Sequence, residues 1–335
     1  MTRRERVIAA LSHRQPDKTP YQIDIPQDVR KNVIAYCGDD SFASGLENCI
    51  HPFYCGPANE EVQISPRIMQ DYFGVQWDKG ADGSSLTVAN NAVTPENIGS
   101  YNFPDPEEFL VSGETVERAR QNKEKFVLWS LSFALFERAW TLAGMEELLM
   151  AMILDKDFVH KLLDKILEYN LKVIEKVCSH DVIDGAIFGD DWGHQTGLIM
   201  GRDLWREFIK PRMRRMYDLV KSKGKFVLTH SCGKTDEVFP DLIECGVDAF
   251  NPFQPEVVDV FEIKRRYGRK LAFYGGVGVQ GLLPHGSAEE VRTYMRRLIK
   301  EVGKDGGLIV TTSQQILGDA RPENVLAMID ALKEQ

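Results

Sequence analysis

The sequence predicts an α/β protein, a closed (β/α)8 barrel of the TIM type with an N-terminal extension covering one end. Three observations predict it. Short apolar runs alternate with helical stripes along most of the chain, the pattern of parallel strands joined by right-handed crossovers. The runs lack polar alternation, as do strands covered on both faces. Polar residues gather just after the runs, at the edge where this architecture keeps its chemistry. The 335 residues suit one barrel of about 250 residues with an extension. An open doubly wound sheet is the alternative.

Residues 3–14 read as a short helix, and Tyr21–Ile25, between Pro20 and Pro26, as a buried strand. Residues 27–125 hold scattered glycines, prolines and asparagines with weak periodicity. They read as the extension, within a single domain spanning 1–335. Phe126–Trp129 is the next apolar strand. Phe158, Leu162, Ile166, Tyr169, Val173 and Val177 then recur at helical spacing. Four further strands run into polar turns: Ala186–Phe188 into Gly189-Asp190-Asp191, Lys225–Thr229 into His230-Ser231-Cys232-Gly233, Val247–Phe250 into Asn251-Pro252, and Leu271–Tyr274 into Gly275-Gly276. Ser287 to Glu290 forms a capping box that opens a helix. Leu308–Val310 leads into Thr311–Gln314, and Pro322 sits in the first turn of the last helix. Seven strands are legible; the eighth is not.

Hydrophobic residues make up 43% and charged residues 27%, which excludes a disordered or fibrous chain. A net charge of −9 argues against nucleic acid as the main partner. No apolar stretch of about 18 residues predicts a membrane span. Arg3, Arg4 and Arg6 precede only Val7–Leu11, too short for a signal-peptide core, so a cytoplasmic protein is expected. The six cysteines show no CxxC spacing and are expected to be free thiols or ligands.

His230-Ser231-Cys232-Gly233 is the sharpest candidate site. Side chains at i and i+2 of a strand point the same way, so imidazole and sulfur converge, and both are good zinc ligands. The plainer reading is a buried thiol beside a hydrogen-bonded histidine. Asp190 and Asp191 follow another strand and are expected as catalytic carboxylates, one turned into the mouth and one capping a turn. Trp192 and His194 follow closely and, with Asn251 and Gln254, are expected to contact a small-molecule substrate. Gly276-Val277-Gly278-Val279-Gln280-Gly281 matches GxGxxG, but Pro284 and Gly286 deny it the helix a pyrophosphate needs.

Taken in order, several segments resemble the uroporphyrinogen decarboxylase superfamily. They include Arg4 to Leu11 with Pro16-Asp17-Lys18-Thr19-Pro20, Asp71-Tyr72-Phe73-Gly74-Val75-Gln76-Trp77, and Phe136-Glu137-Arg138-Ala139-Trp140-Thr141-Leu142. Gly189-Asp190-Asp191, His230-Ser231-Cys232-Gly233, Asn251-Pro252-Phe253-Gln254-Pro255, Gly275-Gly276-Val277 and Pro322-Glu323-Asn324 continue the series. The resemblance implies a (β/α)8 barrel and a family whose members are often dimers. True decarboxylases of that superfamily carry an Arg-rich N-terminal motif that grips substrate carboxylates; here the chain reads Pro26-Gln27-Asp28-Val29-Arg30 instead. The other branch holds zinc-dependent methyltransferases that work with separate corrinoid proteins and use a His-x-Cys pair, matched by His230 and Cys232. The resemblance puts the third metal position at Gln314, whose neutral amide oxygen is a poor zinc ligand. That leaves Asp190 or Asp191 to complete the set, a weak site, or no metal. A zinc- and corrinoid-dependent methyltransferase is thus the leading expectation. The alternatives are a cofactor-independent decarboxylase of a polycarboxylate and a non-catalytic binding relative.

Overall fold

The computed structural model describes residues 1–57, 61–80 and 86–335. Seven parallel strands form one sheet in chain order: β1 Ile50–Phe53, β2 Phe126–Leu131, β3 Gly185–Gly189, β4 Phe226–His230, β5 Ala249–Phe253, β6 Ala272–Val277 and β7 Leu308–Thr312. The segment beginning at Tyr21 lies between its two edges. Tyr21 bridges Val310 in parallel, the Gln22 N–H donates to the Val310 carbonyl at 2.9 Å, and the Cys49 N–H donates to the Tyr21 carbonyl at 2.9 Å. The sheet curls round and this segment serves as its closing stave.

The strand that sequence patterning leaves unlocated is β1, inside 27–125. It has four residues, and His51-Pro52 interrupts its apolar run. The rest of 27–125 is also more than a cover. Helix Gln27–Cys37 packs on the final helix Pro322–Lys333. Glu61–Gln63, Ile68–Asp71, Gln76–Asp78 and Thr87–Val88 form an antiparallel sheet. Helix Gly113–Gln121 then leads into β2.

Strand parity sorts the core into two layers. Phe126 and Leu128 of β2 face inward with Leu228, Ala249, Ala272 and Ile309, while Val127, Trp129 and Leu131 face the surrounding helices. Each fully buried Phe, Leu, Ile or Val side chain contributes about 1.5–3 kcal/mol. Helix Arg3–Leu11, opened by a Thr2/Glu5 capping box, closes the N-terminal end of the strands. Its Val7, Ala10 and Leu11 pack into the inner layer, and the Ala10 carbonyl accepts the Gly307 N–H at 2.8 Å. The opposite, C-terminal end stays open, and the polar turns collect there. No helix among the described residues is long and apolar enough to cross a membrane.

Candidate metal centre

β4 ends at His230, which its register sets between Gly189 of β3 and Asn251 of β5. Cys232 follows at i+2, and its Sγ lies 3.4 Å from His230 Nε2. The expected convergence of ring and sulfur is present. Asp191 joins them: its Oδ1 lies 3.6 Å from His230 Nε2 and accepts the Cys232 backbone N–H at 2.8 Å. One ligand atom from each of Asp191, His230 and Cys232 falls within 4.8 Å of the others.

Neighbouring polar groups hold these residues in place. His230 Nδ1 meets Asn251 Oδ1 at 2.5 Å, and Asn251 Nδ2 donates to the Tyr274 carbonyl at 2.8 Å. Because that amide nitrogen is already donating, Asn251 turns its oxygen to the ring. His230 therefore carries its proton on Nδ1 and presents the Nε2 lone pair to the cluster. Gln254, only 4% exposed, accepts the Gly233 N–H at 2.8 Å. Gly233 itself has φ +83°, and a Cβ there would stand 2.5 Å from the Gly193 carbonyl carbon. Only glycine lets the chain turn away from Cys232 at this point.

The two aspartates separate by strand parity. Asp191 points into the mouth with the inward residues. Asp190 is 2% exposed and faces the wall. Its carboxylate accepts the N–H groups of Leu135, Phe136 and Glu137 at 3.2, 3.0 and 2.8 Å, capping helix Phe136–Ala143, and takes the Trp192 indole N–H at 2.6 Å. Burial pushes its carboxyl up to about 6 against those four donors. Asp190 therefore anchors a helix, the capping role expected of one of the two acids, and leaves Asp191 as the acid that faces the mouth.

Trp192 is 1% exposed and packs edge-on against Trp205 at 5.3 Å, so it belongs to the core and not to the expected substrate wall. An aromatic residue after an acidic pair reads the same in sequence whether it faces ligand or helix. His194 lies in the short hairpin Gly193–His194/Gly197–Leu198, with its ring 3.1 Å from the Thr196 hydroxyl and outside the cluster. Gln254 and Asn251 likewise act on the backbone and on His230.

Gln314, from the turn after β7, does reach the centre. Its Nε2 donates to Cys232 Sγ at 2.8 Å. Glu137 is the group that residue-type reasoning missed. It opens helix Phe136–Ala143 after the end of β2, and burial beside Asp190 and Asp191 pushes its carboxyl up to about 8. Its position past a strand's C-terminal end was the available signal. Burial, with Asp191 second, pushes the Cys232 thiol up to about 12. A thiol, a carboxylate and an imidazole lone pair therefore face one another with no lysine or arginine among them. That donor set fits a borderline-soft divalent ion such as Zn²⁺. A cavity of about 520 Å³ opens beside them, walled by His230, Asn251, Tyr274, Thr311, Gln314 and Asp24.

A family model described as uroporphyrinogen decarboxylase (URO-D) matches residues 68–335. The methylated-thiol–coenzyme M methyltransferase of Methanosarcina mazei is 26% identical over 292 residues, covering 84% of this chain and 73% of that one. The methylcobamide:CoM methyltransferase MtaA of Methanosarcina barkeri is 23% identical over 137 residues, 41% of this chain and 38% of its own. Among solved structures, a methyltransferase from Methanosarcina mazei superposes with a TM-score of 0.72 at 17% identity, covering 100% of this chain and 99% of that one. At that identity the likeness speaks to the barrel alone.

Proposed function

The chain belongs to the uroporphyrinogen decarboxylase family, and from that premise we propose that it is a zinc-dependent methyltransferase exchanging a methyl group between a small molecule and a corrinoid carried on a separate protein. One observation carries the reading: the ligand atoms of Asp191, His230 and Cys232 converge within 4.8 Å at the open end of the barrel. The names of the curated relatives, both methyltransferases, support it. We read residues 1–335 as one domain serving this site.

Asp191, His230 and Cys232 would hold the ion, with Asp191 supplying the third position that Gln314 fills poorly. Bound there, Zn²⁺ would keep sulfur ligands as thiolates at neutral pH and act as a Lewis acid toward the methyl donor or acceptor. The chain's own residues do the positioning. Asn251 fixes the tautomer and plane of His230, Gln254 and Gly233 set the turn that presents Cys232, and Asp191 receives the Cys232 N–H. Gln314 Nε2 donates to the Cys232 sulfur, which lowers the electron density there and favours its anionic form. Helix Arg3–Leu11 packs Val7, Ala10 and Leu11 into the inner layer at the far end.

The test is the zinc content of purified protein beside that of Cys232→Ser. About one equivalent in the native chain and a large loss in the variant is the expected result. Equal metal in both ends the proposal.

A further inference from the structure

Glu256, in the turn after β5, reaches across to the turns after β6 and β7. Its Oε1 accepts the Gln280 N–H at 3.1 Å and the Ser313 hydroxyl at 3.2 Å. A Cβ at Gly278 would crowd that same oxygen, at 2.9 Å. The Gln280 N–H of the GxGxxG segment is thus bound to a carboxyl of the chain itself. Ser313, only 2% exposed, is held at three points. Its N–H donates to the Val277 carbonyl at 2.7 Å, its hydroxyl donates to Glu256, and its Oγ accepts the Val279 N–H at 3.4 Å. The next residue is Gln314, whose Nε2 donates to Cys232 Sγ at 2.8 Å. Gln314 is exposed, and this is the one hydrogen bond of its side chain among the described residues. A long exposed side chain has rotamer freedom and little packing to aim it, so its aim comes from the turn that carries it. That turn is fixed at Ser313.

We propose that Glu256 is a positioning residue for the centre: by holding the Ser313 hydroxyl it sets the turn after β7 so that the Gln314 amide stays on the Cys232 sulfur. The inference rests on the methyltransferase reading only in taking that sulfur as a metal ligand. Partners one shell out orient the groups that meet a metal and tune their donor strength, and an N–H on a sulfur draws electron density from it. A tie that merely fastened loops together would act differently. Tyr294 is such a tie: its hydroxyl donates to the Gly276 carbonyl in the glycine-rich segment, with no bond to Ser313. Glu256 works through one oxygen, because its Oε2 is buried without a protein partner among the described residues. A glutamine at 256 keeps that acceptor, and an alanine removes it.

Two readouts on the full chain test this. The first is the side-chain amide resonance of Gln314 in protein labelled with ¹⁵N-glutamine, assigned by its loss in Gln314→Ala. Glu256→Ala and Ser313→Ala should move it toward the position of free amides, while Glu256→Gln and Tyr294→Phe leave it in place. The second is the sulfur-to-metal charge-transfer band of the Co²⁺-loaded chain. It should shift to longer wavelength in Glu256→Ala and in Gln314→Ala, and the double variant should shift no further than Gln314→Ala alone, since both act on one bond. Should Glu256→Ala not fold, Ser313→Ala, which removes a single oxygen atom, takes its place in every comparison. A resonance unmoved by the alanine variants, a resonance moved as far by Tyr294→Phe, or an additive double shift overturns the proposal. A native chain without the charge-transfer band ends the methyltransferase reading alone, and the amide resonance still decides this inference. The band with an unmoved resonance ends this inference alone.

Discussion

His230 Nδ1 stands 2.5 Å from Asn251 Oδ1, and this contact decides which ring nitrogen faces the cluster. Asn251→Ala removes the acceptor and frees the ring to rotate and change tautomer. Loss of such a supporting hydrogen bond costs about 10–100-fold in metal affinity. A chelator competition titration should show that weakening, with the denaturation midpoint close to that of the native chain. Unchanged affinity would mean that the ring is held by something else.

Asp190 is predicted to be a stability residue. Asp190→Ala orphans the N–H groups of Leu135, Phe136 and Glu137 at a buried helix end. Each buried donor left unsatisfied costs about 1–3 kcal/mol, so urea unfolding should show a loss of at least that size. Asp190→Asn keeps an acceptor and should recover part of it. Native stability in Asp190→Ala would contradict the capping role.

Gly233→Ala should damage the site more than the fold. The added Cβ would sit 2.5 Å from the Gly193 carbonyl carbon and 2.7 Å from the His194 nitrogen, at φ +83°. Strain of this kind costs about 1–3 kcal/mol. The turn must shift, taking Cys232 with it, so zinc content should fall sharply while circular dichroism stays native. Full zinc occupancy in the variant would show that the turn is more tolerant than its contacts indicate.

Gln314→His places an imidazole where an amide now donates to Cys232 Sγ. Zinc should bind more tightly, since imidazole nitrogen is a far better ligand than a neutral amide. Competition against a colorimetric chelator would show it, and weaker binding would place residue 314 outside the coordination sphere.

Lys264 gives the fold an alkaline signature. Its Nζ donates to the Gly306 carbonyl at 2.6 Å, and burial draws its ammonium down from 10.5 to about 8. Between pH 8 and 10.5 the unfolded chain holds this proton when the folded chain has released it. The unfolded state then binds more protons, so this group makes stability rise with pH across that window. Below pH 8 both states are protonated and the burial cost stands in full. The native chain should therefore gain stability relative to Lys264→Met as pH climbs through the window, read by urea midpoints. Parallel pH curves would refute it.

How much of this was readable in advance depends on the kind of signal each residue carries. β4 announced itself because Phe226 to Leu228 is an unbroken apolar run followed by the β-branched Thr229, and His230 and Cys232 follow at matching parity. β1 stayed hidden because four residues containing a proline offer no period to detect. The antiparallel sheet stayed hidden for another reason. Every residue of Ile68–Asp71 is half-buried, so no in-and-out alternation marks it. The split between Asp190 and Asp191 was expected, but not which acid went where. Parity held the answer: Ala186 and Phe188 face the helices, so Asp190 continues their side, and Asp191 continues the side of Ile187. Trp192 and Glu137 were beyond reach of residue type alone, because groups distant in sequence decide their surroundings, Trp205 for the first and Asp190 and Asp191 for the second.

The pair at the end of β3 also constrains how this chain can change. Neighbouring carboxylates answer to separate demands, one to a helix terminus and one, on the proposed reading, to a cation, and they are told apart only by odd and even position along a strand. Insertion or deletion of a single residue upstream would exchange them, unmooring the helix and emptying a coordination position in the same event. β3 is thus a ruler whose length two unrelated needs fix at once, and sequence change there must come as substitution and not as slippage.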